Sequence, residues 1–273
     1  MVKMIFDRFS LKGKVAIVTG AGRGIGKGIA LAFAEAGADL VCVARTVSQI
    51  EATAAEVRSL GRKALAIRCD VRDGKQVEDM VRLARQEFGH IDILVNNAAE
   101  GTFTAAMEMS ESGFEADLRA SLTSVFVCSK AVAKLMLKQK AGSIINISSR
   151  ESQMPSLGLP AYGAAKAGVN SITRTMAWEL APYVRVNAIL PGCIWTEGNA
   201  EKLGPLKDMI VGATPLKRTG TTEDISLAAL YLASSASDWV TGKLFEVDGG
   251  MEFTGGIAAH MPDILVIEKP TVK

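Results

Sequence analysis

A glycine-rich turn directly after the first buried run of the chain limits what this sequence can fold into. Residues 14–19 are mostly apolar and β-branched, residues 20–26 read G-A-G-R-G-I-G, and Ala-rich, helix-forming residues follow. A strand, a glycine turn and a helix in this order offer backbone N–H groups and the positive end of a helix dipole to a phosphate group. The G-x-x-x-G-x-G spacing is neither G-x-G-x-x-G nor the ATP-type P-loop, so the rest of the chain has to identify the nucleotide.

Segments with strand character and helix character alternate along the whole chain. After the first strand at 14–19, further strands are predicted at 39–44, 63–69, 91–95, 143–148, 184–190 and 244–247. This alternation predicts one doubly wound α/β domain of the Rossmann type, with a seven-stranded parallel sheet and its site at the carboxyl ends of the strands. We expect the domain to span residues 14–250, between an N-terminal extension at 1–13 and a C-terminal tail at 251–273.

Composition excludes several classes of function. The 273 residues carry a formal net charge of +2 with interspersed charges, which gives no field suited to nucleic acid or to an anionic membrane surface. We expect no membrane span and no signal-peptide core. Cys42, Cys69, Cys128 and Cys193 lie far apart and form no cluster with the two histidines, so we expect no metal site. The interpretation is a soluble, cytoplasmic protein with reduced thiols.

The end of the second predicted strand bears on the choice of cofactor. Sites for NAD usually place a carboxylate here to hold the ribose 2′-hydroxyl, whereas an arginine accommodates the 2′-phosphate of NADP. This strand ends at Ala44 and is followed by Arg45 and Thr46, and a second arginine, Arg23, lies within the glycine turn. With no carboxylate after the strand to repel a phosphate, the pattern favours NADP(H) over NAD(H). The alternative is that both arginines are solvated surface residues.

Polar and small residues follow the other predicted strands. Asp70 follows the third strand, Asn97-Ala98 the fourth, Ser149 the fifth and Pro191-Gly192 the sixth. Because the carboxyl ends of parallel strands meet at one edge of a sheet, we expect these residues to converge there. Asp70 could bond an adenine amino group or start a helix, and Asn97 could hold neighbouring loops together.

Tyr162 and Lys166 are the candidates for proton chemistry. They lie four residues apart at the head of a helix predicted to run to about Leu180, so they share one helical face. An adjacent ammonium favours the phenolate, and we expect it to lower the Tyr162 pKa from about 10 to roughly 7 or 8. The phenol would then be a usable general acid or base. The alternative is a packed ring beside a solvated amine.

Taken together, these motifs resemble the short-chain dehydrogenase/reductase family. The resemblance runs from about Lys14 to Gly250 and rests on Gly20-x-x-x-Gly24-x-Gly26, Asn96-Asn97-Ala98, Ser149, Tyr162-x-x-x-Lys166 and Pro191-Gly192. It implies hydride transfer between a nicotinamide cofactor and a ketone or secondary alcohol. The similar branch has a single domain and includes 3-oxoacyl-carrier-protein reductases, hydroxysteroid dehydrogenases and sugar dehydrogenases. The resemblance also implies a homotetramer formed through the helices around 110–138 and 160–180.

The resemblance implies a role for each matching residue. Tyr162 would exchange a proton with the substrate oxygen, Lys166 would lower the Tyr162 pKa and bind the nicotinamide ribose, and Ser149 would orient the substrate oxygen. Asp70 would contact the adenine together with its neighbour, and Asn97 would support the cofactor near its ribose. The implied cofactor-binding residues are Gly20, Gly22, Arg23, Gly24, Ile25, Gly26, Arg45, Thr46, Asp70, Val71, Asn97, Ala98, Tyr162, Lys166, Pro191, Gly192, Ile194 and Thr196.

One departure from the family pattern concerns proton relay. Ser121, within a helix predicted over 110–138, stands at the position of the family's usual catalytic Asn, which helps to hold a water between the lysine and bulk solvent. We expect a working relay that Ser121 could slow, with the hydride step unaffected. Ala99 replaces the usual glycine of the Asn-Asn-Ala-Gly motif, which should be tolerated. The rival interpretation is a catalytically idle NADP-binding sensor or scaffold.

The sequence gives only a class of small-molecule substrate. Six apolar residues predict either a wall for an apolar ketone or alcohol or the core of a helical lid at 200–211: Met154, Leu157, Leu159, Trp195, Met209 and Ile210. Arg150 could pair with a substrate carboxylate or face solvent. The run Ile264 to Ile267 could pack on a neighbouring subunit or belong to a loosely held end.

Overall fold

A seven-stranded parallel sheet forms the centre of the molecule. The computed structural model describes residues 4–155 and 157–251. The strands are β1 (Val15–Thr19), β2 (Asp39–Ala44), β3 (Ala64–Arg68), β4 (Ile93–Asn96), β5 (Gly142–Ile147), β6 (Val184–Pro191) and β7 (Leu244–Val247). Their order in the sheet is β3-β2-β1-β4-β5-β6-β7. The predicted doubly wound fold with seven parallel strands in a single domain is confirmed.

Helices cover both faces of the sheet. They are α1 (Gly24–Glu35), α2 (Val47–Ser59), α3 (Gly74–Phe88), α4 (Glu111–Leu118), α5 (Ser124–Gln139), α6 (Pro160–Glu179), α7 (Ala200–Leu203), α8 (Lys207–Ala213) and α9 (Thr222–Ala233). Helices α1, α2 and α9 pack on one face, and α3, α5 and α6 pack on the other. This arrangement follows from the parallel strands, because each connection between them has to cross back over the sheet.

Strand side chains supply both halves of the core because successive residues point to opposite faces. In β1, Ala16 and Val18 belong to the cluster under α1, α2 and α9, whereas Val15 and Ile17 belong to the cluster under α3, α5 and α6. All residues of β1 are buried, as expected for a central parallel strand that is covered on both faces. Burial on both sides fixes the strand, and with it the position of the glycine turn that follows.

The direction of winding changes between β1 and β4. From β1 the sheet continues through β2 to β3 on one side, and from β4 it continues to β7 on the other. Loops after β1 and β4 therefore leave a crevice between them, which is the usual ligand position in doubly wound sheets. Strands β2 and β7 have the bounds predicted from the sequence, whereas β4 begins two residues later than 91, at Ile93.

The helix predicted over 110–138 is interrupted. Helix α4 ends at Leu118, a π-helical segment covers Arg119–Thr123, and α5 follows. As one stretch, Glu111–Gln139 is long and apolar enough to cross a membrane, but half of its most apolar window is buried within the fold. Its contacts with α3, β4 and β5 identify it as a core helix. Single π-helical turns within α-helices occur often at functional sites.

Candidate active site

One large cleft opens at the carboxyl ends of the strands. It has a volume of about 1050 Å³, and its lining comes from the glycine turn and from the loops after β2 to β6. Of the residues predicted to bind cofactor or to act in catalysis, all but Gly26 line this cleft. The predicted convergence on one edge of the sheet is therefore present, while the roles of the individual residues stay predictions.

The glycine turn is packed too tightly for side chains. A Cβ atom on Gly26 would lie 2.2 Å from the Gly20 carbonyl oxygen, and one on Gly20, whose φ is +67°, would lie 2.6 Å from Asn97 Nδ2. Gly26 lies behind the turn, whereas a Cβ on Gly24 would project to 3.5 Å from Thr196 across the cleft. A bare backbone cradle therefore remains at the start of α1, where N–H groups and the helix dipole suit a pyrophosphate. In this respect the site fits a dinucleotide.

Asn97 holds the glycine turn against the end of β4. Its Nδ2 donates to the carbonyl oxygens of Thr19 at 2.9 Å and Gly20 at 3.3 Å. The backbone N–H groups of Asn97 and Ala98 donate to Thr19 Oγ1 at 2.9 and 3.1 Å. The expectation that an asparagine at this strand end holds neighbouring loops together is confirmed, and these bonds fix one wall of the cleft.

Ser149, Tyr162 and Lys166 lie together at the other end of the cleft. Ser149 forms a hydrogen bond with the phenol of Tyr162, and Lys166 Nζ lies 5.4 Å from the centroid of the Tyr162 ring. Lys166 is 2% exposed, and its Nζ donates to the Ile147 carbonyl oxygen at 2.7 Å. Helix α6 sets this geometry because it starts at Pro160, a residue suited to a first helical turn, and places the tyrosine and lysine on one face.

Burial decides the protonation of both groups. It raises the pKa of Tyr162 to about 12, against the lowering effect of the Ser149 hydrogen bond, and it lowers the pKa of Lys166 to about 8. The expected depression of the Tyr162 pKa is therefore wrong for this structure, because the cost of desolvating a phenolate outweighs the lowering effect of the Ser149 hydrogen bond. At neutral pH Tyr162 is a protonated phenol, which is a proton donor.

Charged residues form a connected group at the opposite end of the cleft. An ion pair joins Arg45 to Glu100, and Glu100 also lies 3.4 Å from Arg72. Arg72 binds Asp70 through Nη2 at 2.6 Å and Nε at 2.9 Å, and these bonds hold the pKa of Asp70 below its ordinary value. The carboxylate predicted to contact adenine is thus already bonded to an arginine. Neither Arg72 nor Glu100 was among the predicted site residues.

Glu100 places near Arg45 a carboxylate that the sequence directly after β2 does not show. The sequence immediately after β2 holds no carboxylate, but Glu100 reaches Arg45 from the loop after β4. The two residues are 55 positions apart in the chain, so their sequence positions gave no signal of this contact. A phosphate bound at Arg45 would therefore have a negative charge beside it.

The loop that carries Glu100 is held by two buried side chains of the interrupted helix. Ser121 Oγ accepts from the Glu100 N–H at 3.0 Å and donates to the Glu100 carbonyl oxygen at 2.5 Å. Asp117 accepts from the Thr102 N–H at 2.8 Å and from Thr102 Oγ1 at 3.0 Å. Between these attachments, Gly101 packs on the ring of the candidate catalytic tyrosine, and a Cβ there would lie 2.9 Å from the ring.

Replacing Ser121 with alanine should loosen this loop. We expect the free energy of unfolding to fall by about 1 to 2 kcal/mol, because both backbone groups of Glu100 lose a partner. We also expect weaker dinucleotide binding and an unchanged pH profile of turnover. Ser124→Ala is the matched control, since Ser124 is also buried but donates to Ala120 within its own helical stretch. Urea unfolding and dinucleotide titration check this, and a shifted pH profile with intact stability would instead support the relay role of Ser121.

Several large apolar side chains line the cleft. Leu157 and Leu159 line it as predicted, together with Phe103 and Leu203, which the sequence interpretation missed. Other predicted wall residues lie elsewhere. Met154, Met209 and Ile210 pack with Cys193 and Met251, and Trp195 lies 4.8 Å from Lys207 Nζ, measured to a ring centroid. Met154, Met209 and Ile210 therefore fit the alternative interpretation, in which these side chains form the core of the lid and not the wall of a substrate site.

Arg150 joins two parts of the chain through ion pairs and does not line the cleft. Its guanidinium pairs with Glu246 at 2.9 Å and with Asp248 at 2.8 Å, and so links the turn after β5 to the end of β7. The geometry therefore gives no support to the hypothesis that Arg150 binds a substrate carboxylate, which stays a prediction. The next residue, Glu151, does line the cleft, and its charge adds to the rise in the Tyr162 pKa.

The loop after β6 faces the glycine turn across the cleft. Asn199 holds this loop, since its Oδ1 accepts from the Thr196 N–H at 2.9 Å and its Nδ2 donates to the Ile194 carbonyl oxygen at 2.7 Å. Arg23 extends from the glycine turn to the loop, where a Cβ on Gly198 would lie 3.6 Å from the guanidinium carbon. Asn199, which was not among the predicted site residues, thus positions Ile194 and Thr196, the two residues predicted to contact the nicotinamide.

A cleft with a phosphate cradle at one end and a buried proton donor at the other is what a dinucleotide-dependent oxidoreductase requires. Comparison with known proteins gives the family. The chain belongs to the short-chain dehydrogenase/reductase family: the family model described as Enoyl-(Acyl carrier protein) reductase matches residues 20–252. The resemblance inferred from the motifs is confirmed.

Individual relatives of the chain have different names. It is 41% identical to a 3-oxoacyl-[acyl-carrier-protein] reductase of Synechocystis, over 89% of this chain and 98% of that protein. A solved short-chain type dehydrogenase/reductase from Mycobacterium marinum is 39% identical, with a TM-score of 0.87 and coverage of 90% and 98%. A 7 alpha-hydroxysteroid dehydrogenase, solved with NADH and 7-oxo glycochenodeoxycholic acid, is 35% identical, with a TM-score of 0.88 and coverage of 91% and 98%.

Proposed function

We propose that this protein is an NADP-preferring reductase that interconverts a ketone and a secondary alcohol, with Tyr162 as general acid and base. One observation carries the proposal. Tyr162 is hydrogen-bonded to Ser149 and has Lys166 Nζ 5.4 Å from its ring centroid, in the same cleft as the glycine cradle. A packed ring beside a solvated amine is excluded as an explanation, because Lys166 is buried.

Different residues of the cleft would bind the cofactor, transfer the proton and orient the substrate. The glycine turn would hold the pyrophosphate, and the nicotinamide of a bound dinucleotide supplies the hydride. Tyr162 donates its phenolic proton to the developing alkoxide, a role suited to a group that stays protonated at neutral pH. Ser149 hydrogen-bonds the same oxygen and so orients the carbonyl. The Lys166 ammonium stabilises the phenolate that remains.

Arg45 is the main support for a preference for NADP, and replacing it should weaken the binding of NADPH more than that of NADH. We expect Arg45→Ala to bind NADPH about 10-fold more weakly, because a charge-assisted hydrogen bond to the 2′-phosphate is lost. Affinity for NADH should stay within about 2-fold. Arg23→Ala tests the second candidate, and Arg68→Ala is the control, an exposed arginine on β3 away from the cleft lining. Fluorescence titration measures both affinities, and equal losses for NADPH and NADH would contradict the assignment.

The lining supports an apolar substrate. Phe103, Leu157, Leu159 and Leu203 line the same cleft as Ser149 and Tyr162. The relatives named for 3-oxoacyl-carrier-protein and hydroxysteroid substrates fit this class. Oxidation of NADPH, with NADH in parallel, against ketones, 3-oxoacyl thioesters, steroids and sugars tests the proposal. If no compound of the panel is reduced although NADPH binds tightly, the catalytically idle sensor or scaffold is favoured.

We also propose a cytoplasmic homotetramer. Large apolar side chains are exposed on the helices that the family resemblance assigns to subunit contacts, among them Phe114 on α4, Phe126 on α5 and Trp178 on α6. The four cysteines are buried as free thiols, in keeping with a reducing compartment. The run Ile264 to Ile267, a further candidate for subunit contact, lies outside the described residues.

A further inference from the structure

We propose that Glu100 is a specificity-determining residue that reduces the preference of this protein for NADP over NAD. The inference rests on the proposed function, in which Arg45 receives the 2′-phosphate. Arg45 is already paired with Glu100. A 2′-phosphate would have to displace this carboxylate from the arginine or be bound beside it, and in both cases the negative charge of Glu100 opposes the phosphate.

The position of Glu100 favours competition at Arg45 in particular. Its carboxylate lies between Arg45, after β2, and Arg72, after β3. Arg72 is bound by Asp70 through two nitrogen atoms, so Arg45 is the arginine that Glu100 neutralises most directly. All of these residues line the cleft.

The carboxylate is held in this place by the fold. Ser121, which is fully buried, bonds both the N–H and the carbonyl oxygen of Glu100. Asp117, also buried, holds Thr102 two residues further on. The backbone of Glu100 is therefore fixed on both sides, and only rotation of its side chain can move the carboxylate away from the arginine.

Glu100 also supplies the group that the sequence lacks after β2. Sites for NAD place a carboxylate where it accepts a hydrogen bond from the ribose 2′-hydroxyl. Here a carboxylate reaches the same end of the cleft from the loop after β4. An unphosphorylated ribose would meet an acceptor, and a phosphorylated ribose would meet a competitor, so one residue acts on both cofactors in opposite directions.

Glu100→Gln tests the inference through binding alone, without a substrate. We expect the variant to bind adenosine 2′,5′-bisphosphate about 5-fold more tightly than the wild type at low ionic strength. It should bind adenosine 5′-monophosphate more weakly, by about 2-fold, because the amide oxygen of glutamine still accepts a hydrogen bond from the 2′-hydroxyl but carries no charge. The gain should shrink with added salt, because the residues involved are partly exposed. Glu108→Gln is the matched control, since it removes the same charge from an exposed position further along the same segment. Calorimetric titration measures all affinities, and NADPH and NADH repeat the comparison.

Arg45→Ala and the double variant Arg45→Ala/Glu100→Gln separate the possible failures. The double variant should lose the gain seen in Glu100→Gln, because the competition acts through Arg45. If Arg45→Ala weakens bisphosphate binding while Glu100→Gln leaves it unchanged or weaker, the inference is overturned and the proposed function stands. If Arg45→Ala leaves bisphosphate binding unchanged, the proposed preference for NADP is overturned and the inference with it.

Discussion

Replacing Tyr162 with phenylalanine should lower kcat/KM for carbonyl reduction by about 10³-fold and leave dinucleotide affinity within about 2-fold. Phenylalanine keeps the ring that packs under Gly101 and beside Lys166. It removes the hydroxyl that bonds Ser149 and that is protonated at neutral pH. The loss should therefore fall on the proton transfer rather than on binding. Steady-state NADPH oxidation with the best substrate of the panel, together with NADPH titration, measures both quantities.

Tyr183→Phe is the matched control for this experiment. Tyr183 also has a lysine near its ring, Lys140, whose Nζ lies 6.0 Å from the centroid, but Tyr183 is 42% exposed and is not among the residues that line the cleft. Its replacement should leave turnover unchanged. Turnover that survives in Tyr162→Phe at more than about a tenth of the wild-type rate would remove Tyr162 as the general acid.

The parts of the fold that could be predicted depend on local sequence. The run after Asp39 is apolar and β-branched and is bounded by polar residues, so its bounds as a strand were predicted correctly. The edge of the sheet that carries Asn97, Ser149 and Tyr162 followed from the topology, because parallel strands place all their carboxyl ends together. The spacing of the motifs within single loops and helices was therefore sufficient to predict that these residues meet at one site.

The parts that could not be predicted depend on residues far apart in sequence or on burial. Glu100, after β4, pairs with Arg45, after β2, across the end of β1, and no local pattern connects them. Ser121 was expected to bear on proton relay, but its hydroxyl bonds the backbone of Glu100, and the π-helical segment in which it lies was not predicted. The direction of the Tyr162 pKa shift was wrong because the spacing of a lysine predicts its proximity and not how much water the fold removes.

Replacing Lys166 with methionine should stabilise the protein and reduce its activity. Burial lowers the Lys166 pKa from 10.5 to about 8, so at pH 7 the folded chain carries a desolvated ammonium. At about 1.4 kcal/mol per pKa unit the cost is roughly 3 kcal/mol, and losing the bond to the Ile147 carbonyl offsets about 1 kcal/mol of the gain. We expect a net increase in the free energy of unfolding of about 1 to 2 kcal/mol at pH 7, with kcat/KM lower by about 10²-fold or more.

The stability gain should depend on pH in one direction. Because the folded pKa of about 8 lies below the ordinary value of 10.5, the unfolded chain holds this proton more tightly than the folded one. Wild-type stability from this group therefore rises with pH between these two values, and the advantage of Lys166→Met should be full below pH 8 and shrink towards zero above pH 10.5. Lys134→Met, at an exposed position on α5, should show no such dependence. Urea unfolding from pH 6 to about 11 measures the difference. If Lys166→Met is less stable than the wild type throughout, the ammonium has a net stabilising role in the fold. Its contribution to stability would then explain the buried lysine, and the charge would not be a cost in stability that is kept for activity.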